Sequence, residues 1–478
     1  MEKNTKHDMQ LKKRPSARLS ILPIIVLVVM LTLTIRNFGS DSLGGASQVT
    51  LLTVSAFCVL VGMGYLHVPW SSFENAITKN VASVSSALII LLLIGALGGA
   101  WMVSGVVPTL IYYGMKIIHP DVFLASTCVI CAFVSVMTGS SWTTIATIGI
   151  ALMGIGRAQG FSEGWIAGAI ISGAYFGDKI SPLSETTTLA SSGVGVPLFT
   201  HIRYMLITTV PSITIAVLVF LVAGFICDSG NADDVQRFTA ALEGRFSITP
   251  WLLSVPVLTG VLIARRVPPV ITLFLSSLMA VIAGCIFQRG VYSEIDPSLF
   301  NAAMKSLYGS TSVHTDSAIL SELVSTRGMA GMMDTIWLII CAMCFGGTMA
   351  AAGFVGGITR LFIHLVKGRT SLVGSATATG VMLNIAIADQ YLCILLSGNM
   401  FKDVFDRQGY ERRLLSRTTE DSVTVTSVLV PWNTCGMTQS TVLGVSTFTY
   451  LPYCVFNILS PIMSVIVAAL NYKIFRKK

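Results

Sequence analysis

Apolar stretches separated by short polar interruptions recur along nearly the whole chain, at residues 19–35, 48–66, 84–105, 106–118, 121–138, 142–156, 163–180, 203–227, 250–263, 268–288, 334–366, 372–396, 423–442 and 448–473. A helix of about 20 apolar residues crosses the ~30 Å hydrocarbon layer of a bilayer, so the longer stretches predict membrane-spanning helices. Several are too short to cross alone, and 334–366 carries GGTMAAAGFVGG in its middle. Such pieces predict broken or re-entrant helices, which a membrane protein tolerates where the freed backbone is buried in protein or lines a wet cavity. The expected fold is an all-α polytopic membrane protein with discontinuous or re-entrant helices.

Composition agrees with the pattern. Of 478 residues, 53% are hydrophobic and only 11% are charged, against about 25% charged in a soluble domain, so the surface must meet lipid. The net charge of +8 sits at the two ends: Lys3, Lys6, Lys12, Lys13, Arg14 and Arg18 against Glu2 and Asp8, and then Lys473, Arg476, Lys477 and Lys478. The rest of the chain sums to zero, which excludes a nucleic-acid partner. Under the positive-inside rule the tails 1–18 and 471–478 read as cytoplasmic, with an even number of crossings. No A-x-A cleavage site follows 19–35, so that helix is expected to stay. The acidic segment 228–246 suits the outside; Arg265, Arg266, Arg407, Arg412, Arg413 and Arg417 suit the cytoplasm. Between the tails the expected organisation is N-terminal membrane helices at 19–84, a first repeat at 85–225, connecting helices and a polar segment at 226–334, and a second repeat at 335–470. The location that follows is a multi-pass membrane protein.

The chemistry lies in polar groups inside these apolar frames. MTGSSWTTIATIG (137–149) is followed by GAYFGDKISPLSETTTLASSG (173–193); SATATGVMLNIAIADQY (375–391) is followed by EDSVTVTSVLVPWNTCG (420–436). Both halves thus run from a polar-flecked helix to an acidic residue opening a Ser/Thr-rich, proline-broken segment. Asp178 and Asp421 are 243 residues apart, and so are Ser141 and Asn384, which suggests a duplicated unit.

A carboxylate near the membrane centre costs about 2.5–3.5 kcal/mol, so one that persists marks an ion or substrate pathway. Asp389, flanked by apolar residues and five positions after Asn384, is the sharpest case, and Asp389→Asn is expected to abolish transport; the bland alternative is a helix cap. Asp178 precedes Lys179 and Pro182, where the missing N–H loosens the helix, and Ser181, Ser184, Thr186, Thr187 and Thr188 surround Glu185 with hydroxyls. Glu420-Asp421 leads to Pro431-Trp432-Asn433-Thr434, whose bland reading is a solvated loop end. These are hard oxygen ligands, suited to sodium rather than to zinc or copper. His314 and Asp316 read as part of a polar connection, with His314 a pH-sensing candidate if the segment dips inward. Cys128-x-x-Cys131 and Cys341-x-x-Cys344 lie in apolar runs without a second ligand pair and read as packing residues.

GAYFGDKISPLSETTTLAS, ADQY and EDSVTVTSVLVPWNTCG together resemble the NhaC-type sodium/proton antiporters, a family that also includes a malate/lactate antiporter. The resemblance runs from about residue 20 to 470. It implies a multi-pass carrier of the bacterial inner (plasma) membrane, with an all-α ion-transporter-like fold of inverted repeats containing discontinuous or re-entrant helices, often homodimeric, whose acidic positions fall on Asp178, Glu185, Asp389 and Asp421, with Thr187, Asn433 and Thr434 alongside. With Asn384, these are the expected ion- or substrate-binding residues, and Asp178, Asp389 and Asp421 are the expected sodium ligands. No cofactor is expected; Na⁺ and H⁺ are cargo, and a small organic acid is the alternative cargo. A carboxylate that holds either ion couples the two flows by competition. An enzyme would need an oriented nucleophile and base, which Ser140-Ser141 lack, and two discontinuous repeated units favour moving gates over a fixed channel filter.

Overall fold

The computed structural model describes residues 15–38, 44–227, 232–312 and 324–476, with backbone alone at 232–238; His314 and Asp316 lie outside the described residues. Among the described residues eight helices are long and apolar enough to cross a membrane, and two bent pairs, Thr239–Arg245 with Pro250–Ala264 (95°) and Thr447–Tyr453 with Val455–Ala469 (55°), raise the number to ten if each is one span. The protein is therefore an all-α polytopic membrane protein with bent and broken helices.

Two amino-terminal helices, α1 (Ala17–Phe38) and α2 (Ala46–Gly64), precede the amphipathic α3 (Trp70–Ser83). The first half then builds α4 (Ser85–Val103), α5 (Val106–Ile117) and α6 (Pro120–Thr138). Next, α7 (Ser141–Thr144) runs through a π turn (Ile145–Gly149) into α8 (Ile150–Ala158). α9 (Glu163–Ile180), α10 (Glu185–Val194) and the 29-residue α11 (Leu198–Ile226) complete it. The connecting region holds α12 (Ala232–Arg245), α13 (Ser254–Ala264), α14 (Pro269–Phe287), α15 (Arg289–Ile295) and α16 (Leu299–Tyr308). The acidic segment expected as an outer loop is thus largely the helix α12.

The second half repeats the plan with α17 (Met333–Ala351), α18 (Phe354–His364), α19 (Arg369–Ile387), α20 (Gln390–Arg407) and α21 (Arg412–Thr419). A π turn (Glu420–Thr424) and a 3₁₀ turn (Ser427–Leu429) lead to α22 (Thr434–Leu443), α23 (Thr447–Tyr450) and α24 (Val455–Ala469). The stretch 334–366 breaks at Gly353, as its glycines predict. The stretch 372–396, expected as one helix, breaks instead at Ala388, which takes a left-handed conformation (φ 63°).

Backbone landmarks correct the register of the repeat. Left-handed Gly139 matches Ala388, N-caps Ser140 and Ser184 match N-caps Asp389 and Asn433, and left-handed Gly195 matches Gly444, each pair 249 residues apart. The spacing of 243 drawn from Asp178 and Asp421 therefore does not relate equivalent positions.

Candidate ion-binding site

In each half two chain breaks cross and two helices begin there, four in all. Every one of them is capped by a side chain: Ser140 accepts from Thr143 N (3.2 Å), Ser184 from Thr187 N (3.4 Å), Asp389 from Leu392 N (2.8 Å) and Asn433 from Cys435 N (3.1 Å). Such caps satisfy amide donors that would otherwise be orphaned away from water. Asp389, 1% exposed, thus serves as a cap at the position where the first half has Ser140.

The crossings stay tight because small residues let the backbones approach. A side chain at Gly177 would collide with the α6 backbone near Val136, and one at Gly139, itself left-handed (φ 68°), would collide with Leu183. In the second half Thr434 N donates to Ala388 O (2.9 Å), Asn433 Nδ2 to Asn384 O (3.2 Å) and Trp432 Nε1 to Ile385 O (2.9 Å), which locks one break onto the other.

The wide turn and its continuation release backbone carbonyls that lipid cannot satisfy. Three side-chain amides take them in succession: Asn384 Nδ2 donates to Val423 O (2.7 Å), Gln390 Nε2 to Thr424 O (3.0 Å) and Asn457 Nδ2 to Val425 O (2.8 Å). Thr187 does the same in the first half, donating to Lys179 O (2.9 Å) and Asp178 O (3.3 Å). Of the expected site residues, Asn384, Thr187, Asn433 and Thr434 therefore all make contacts that hold the breaks. Gln390 and Asn457 escaped sequence analysis; a lone amide in an apolar helix was the only signal available.

The acidic residues fall into distinct settings. Asp178, 5% exposed, accepts from Ser184 Oγ on Oδ1 (2.6 Å) and from Ser141 Oγ on Oδ2 (2.7 Å), and among the described residues no basic group lies within ion-pair distance of it. Glu185, exposed at the start of α10, stands beside the Tyr391 phenol and within electrostatic reach of Asp178.

Asp421, on the π turn of the second half, sits in a different environment, beside Lys179, which follows Asp178 on α9. Its Oδ1 is paired with Lys179 Nζ and also accepts from Thr208 Oγ1 (3.0 Å), while Arg417 Nε lies 3.7 Å from Oδ2. Lys179 donates to Ser460 Oγ as well (2.8 Å). Lys179, Arg417 and Asp421 are all 0% exposed, so this ion-pair cluster joins α9 of the first half to the broken segment of the second. Arg417 spreads over the Tyr204 ring (4.6 Å to its centre), and none of its side-chain nitrogens makes a hydrogen bond. His201, on α11, pairs with Ser416 Oγ (2.8 Å).

The Cys128, Cys131 and Cys341 thiols are buried in the apolar core. Among the described residues no group of three His, Cys, Asp or Glu side chains is arranged to hold a metal ion.

Residues 1–174 and 173–472 match the Na⁺/H⁺ antiporter family. The chain is 36% identical to the Na⁺/H⁺ antiporter NhaC of Alkalihalophilus pseudofirmus, over 84% of this chain and 86% of that protein. It is also 36% identical to the malate-2H⁺/Na⁺-lactate antiporter of Bacillus subtilis, over 90% of each. With the arginine/ornithine antiporter ArcD of Halobacterium salinarum the identity is 32%, over 100% of this chain and 96% of the relative. Together with the crossed, capped breaks and the buried charges between them, these matches place the chain in the Na⁺/H⁺ antiporter family.

Proposed function

We propose that this secondary transporter exchanges Na⁺ for H⁺ across the bacterial inner membrane by alternating access, with both termini in the cytoplasm and Asp178 as the carboxylate for which the two ions compete. The observation that carries this reading is the contrast between the two buried aspartates. Asp421 is already matched by Lys179 and Arg417, whereas Asp178 accepts from the Ser141 and Ser184 hydroxyls and the Ser141 amide, with no cation at ion-pair distance among the described residues. A hydroxyl donates to a bare carboxylate and can turn its lone pairs to a cation, so the same three residues suit either occupant. One group that binds one ion or the other needs no separate coupling device. Glu185, exposed beside Asp178, lies at the entrance in this reading.

Proteoliposomes holding a pH-sensitive dye test the proposal. A sodium gradient applied with no organic solute should drive proton flux, and Asp178→Asn should abolish it. The second reading, an organic-acid exchanger, is favoured by the Arg417 guanidinium, whose donors are free of hydrogen bonds and match a carboxylate. Proton flux that appears only after malate or lactate is added would establish that reading and reject simple cation exchange.

A further inference from the structure

We propose that Glu420, a residue outside the acidic set expected from sequence, supplies the second carboxylate of the cation site, so that Na⁺ is held between Asp178 of the first half and Glu420 of the second. The inference rests on the Na⁺/H⁺ reading above and names a further ligand for it.

Glu420 opens the π turn, is 0% exposed, and neither of its carboxylate oxygens makes a hydrogen bond. Burying an ionised carboxylate without donors or a counter-charge is strongly unfavourable, so such a group signals an absent partner. These oxygens suit a cation: the turn and the amides that fasten it leave further acceptors unpartnered, while the free nitrogens of Arg417 lie over the Tyr204 ring and against Asp421. Thr424 Oγ1, at the other end of the same turn, lies against Glu420 without reaching hydrogen-bond geometry. Asn384 Oδ1 and Asn457 Oδ1, whose amide nitrogens fasten this turn, are likewise unpartnered. Carboxylate, hydroxyl and amide oxygens are the ligands of a hard cation.

The charge balance points the same way. Asp178, Lys179 and Asp421 all lie within electrostatic reach of Glu420, and Arg417 lies against Asp421. Two cations face three carboxylates, leaving one negative charge, which a single monovalent cation neutralises. Of the other titratable groups on elements packed against the turn, Asp389 caps α20, His201 bonds Ser416 through Nδ1 and leaves Nε2 unpartnered, and Glu185 lies by Tyr391.

Thermal unfolding of the purified protein in detergent, with NaCl against choline chloride, reads occupancy without transport, since a ligand that binds only the folded state raises its melting temperature. Wild type should be stabilised by Na⁺. Glu420→Gln should raise the Na⁺ concentration for half the effect by at least about tenfold, the loss of one charged ligand, and Glu420→Asp should restore most of it. If the Gln variant does not fold, wild type decides alone: Na⁺, unlike choline, should slow modification of Glu420 by a hydrophobic carbodiimide, located by peptide mass spectrometry. Sodium stabilisation of wild type with no protection of Glu420, or an unchanged half-point in a folded Gln variant, overturns the role of Glu420 and leaves Asp178 standing. Absence of any sodium effect on wild type overturns both.

Discussion

The Lys179–Asp421 pair allows a quantitative test of how the halves are joined. Removing one partner of a buried ion pair costs about 3–5 kcal/mol, because the survivor is left charged and desolvated. In Lys179→Met, Asp421 keeps the Thr208 hydroxyl at 3.0 Å and Arg417 at 3.7 Å, so the loss belongs at the lower end, about 3 kcal/mol. In Asp421→Asn, Lys179 and Arg417, both 0% exposed, lose the one carboxylate within ion-pair distance of either among the described residues. That variant belongs at the upper end, about 5 kcal/mol. The double variant strands only Arg417 and should lose about 5 kcal/mol rather than the sum of about 8, a coupling of about 3 kcal/mol. Equilibrium unfolding titrations in mixed micelles give all three values. Additivity to within about 0.5 kcal/mol would mean the pair is not coupled and would refute the reasoning.

Ser141→Ala should leave folding intact but raise the sodium concentration for half-maximal proton flux by roughly tenfold, the worth of one hydrogen bond to a charged group; an unchanged value removes Ser141 from the site. The cap geometry reverses the expectation for Asp389: Asn caps as well as Asp, so Asp389→Asn should keep transport, while Asp389→Ala loses about 1 kcal/mol of stability. A folded Asn variant that is inactive would return Asp389 to the ion site. Thr187→Val strips a donor from two α9 carbonyls and should lower stability by about 1–3 kcal/mol without altering the sodium half-point, and a change in that half-point alone would show that Thr187 touches the ion.

The apolar frame was legible because lipid leaves hydrophobic length as the dominant constraint, and glycine and proline marked the breaks at Gly353, Pro182 and Pro431. The break at Ala388 carried no such mark. Its left-handed conformation is held by Thr434 N donating to its carbonyl and by the Asp389 cap that follows, contacts made 46 residues away or by a side chain whose direction sequence does not reveal. The same blindness produced the 243-residue spacing, which matched residues by chemistry; the fold repeats its caps and left-handed residues instead. A solvated loop end was the bland reading of Glu420, which follows a charged stretch, yet α21 carries that stretch into the interior, with Arg417 already fully buried.

Polar residues inside a membrane protein answer two different demands, and separating them locates the chemistry. A broken helix must satisfy its own amides and carbonyls; Asn384, Thr187, Asn433 and Asp389 meet that demand, and each has a backbone partner to show for it. A transport site instead needs charge that the protein leaves unmatched, since a carboxylate fully paired with lysine offers a cation no net attraction. Asp421 fails that criterion and Asp178 meets it. The same argument explains why both kinds of residue cluster at the crossings: only where the helices are interrupted does the backbone require so many side chains to remain folded, and the proposed ion ligands stand beside those interruptions.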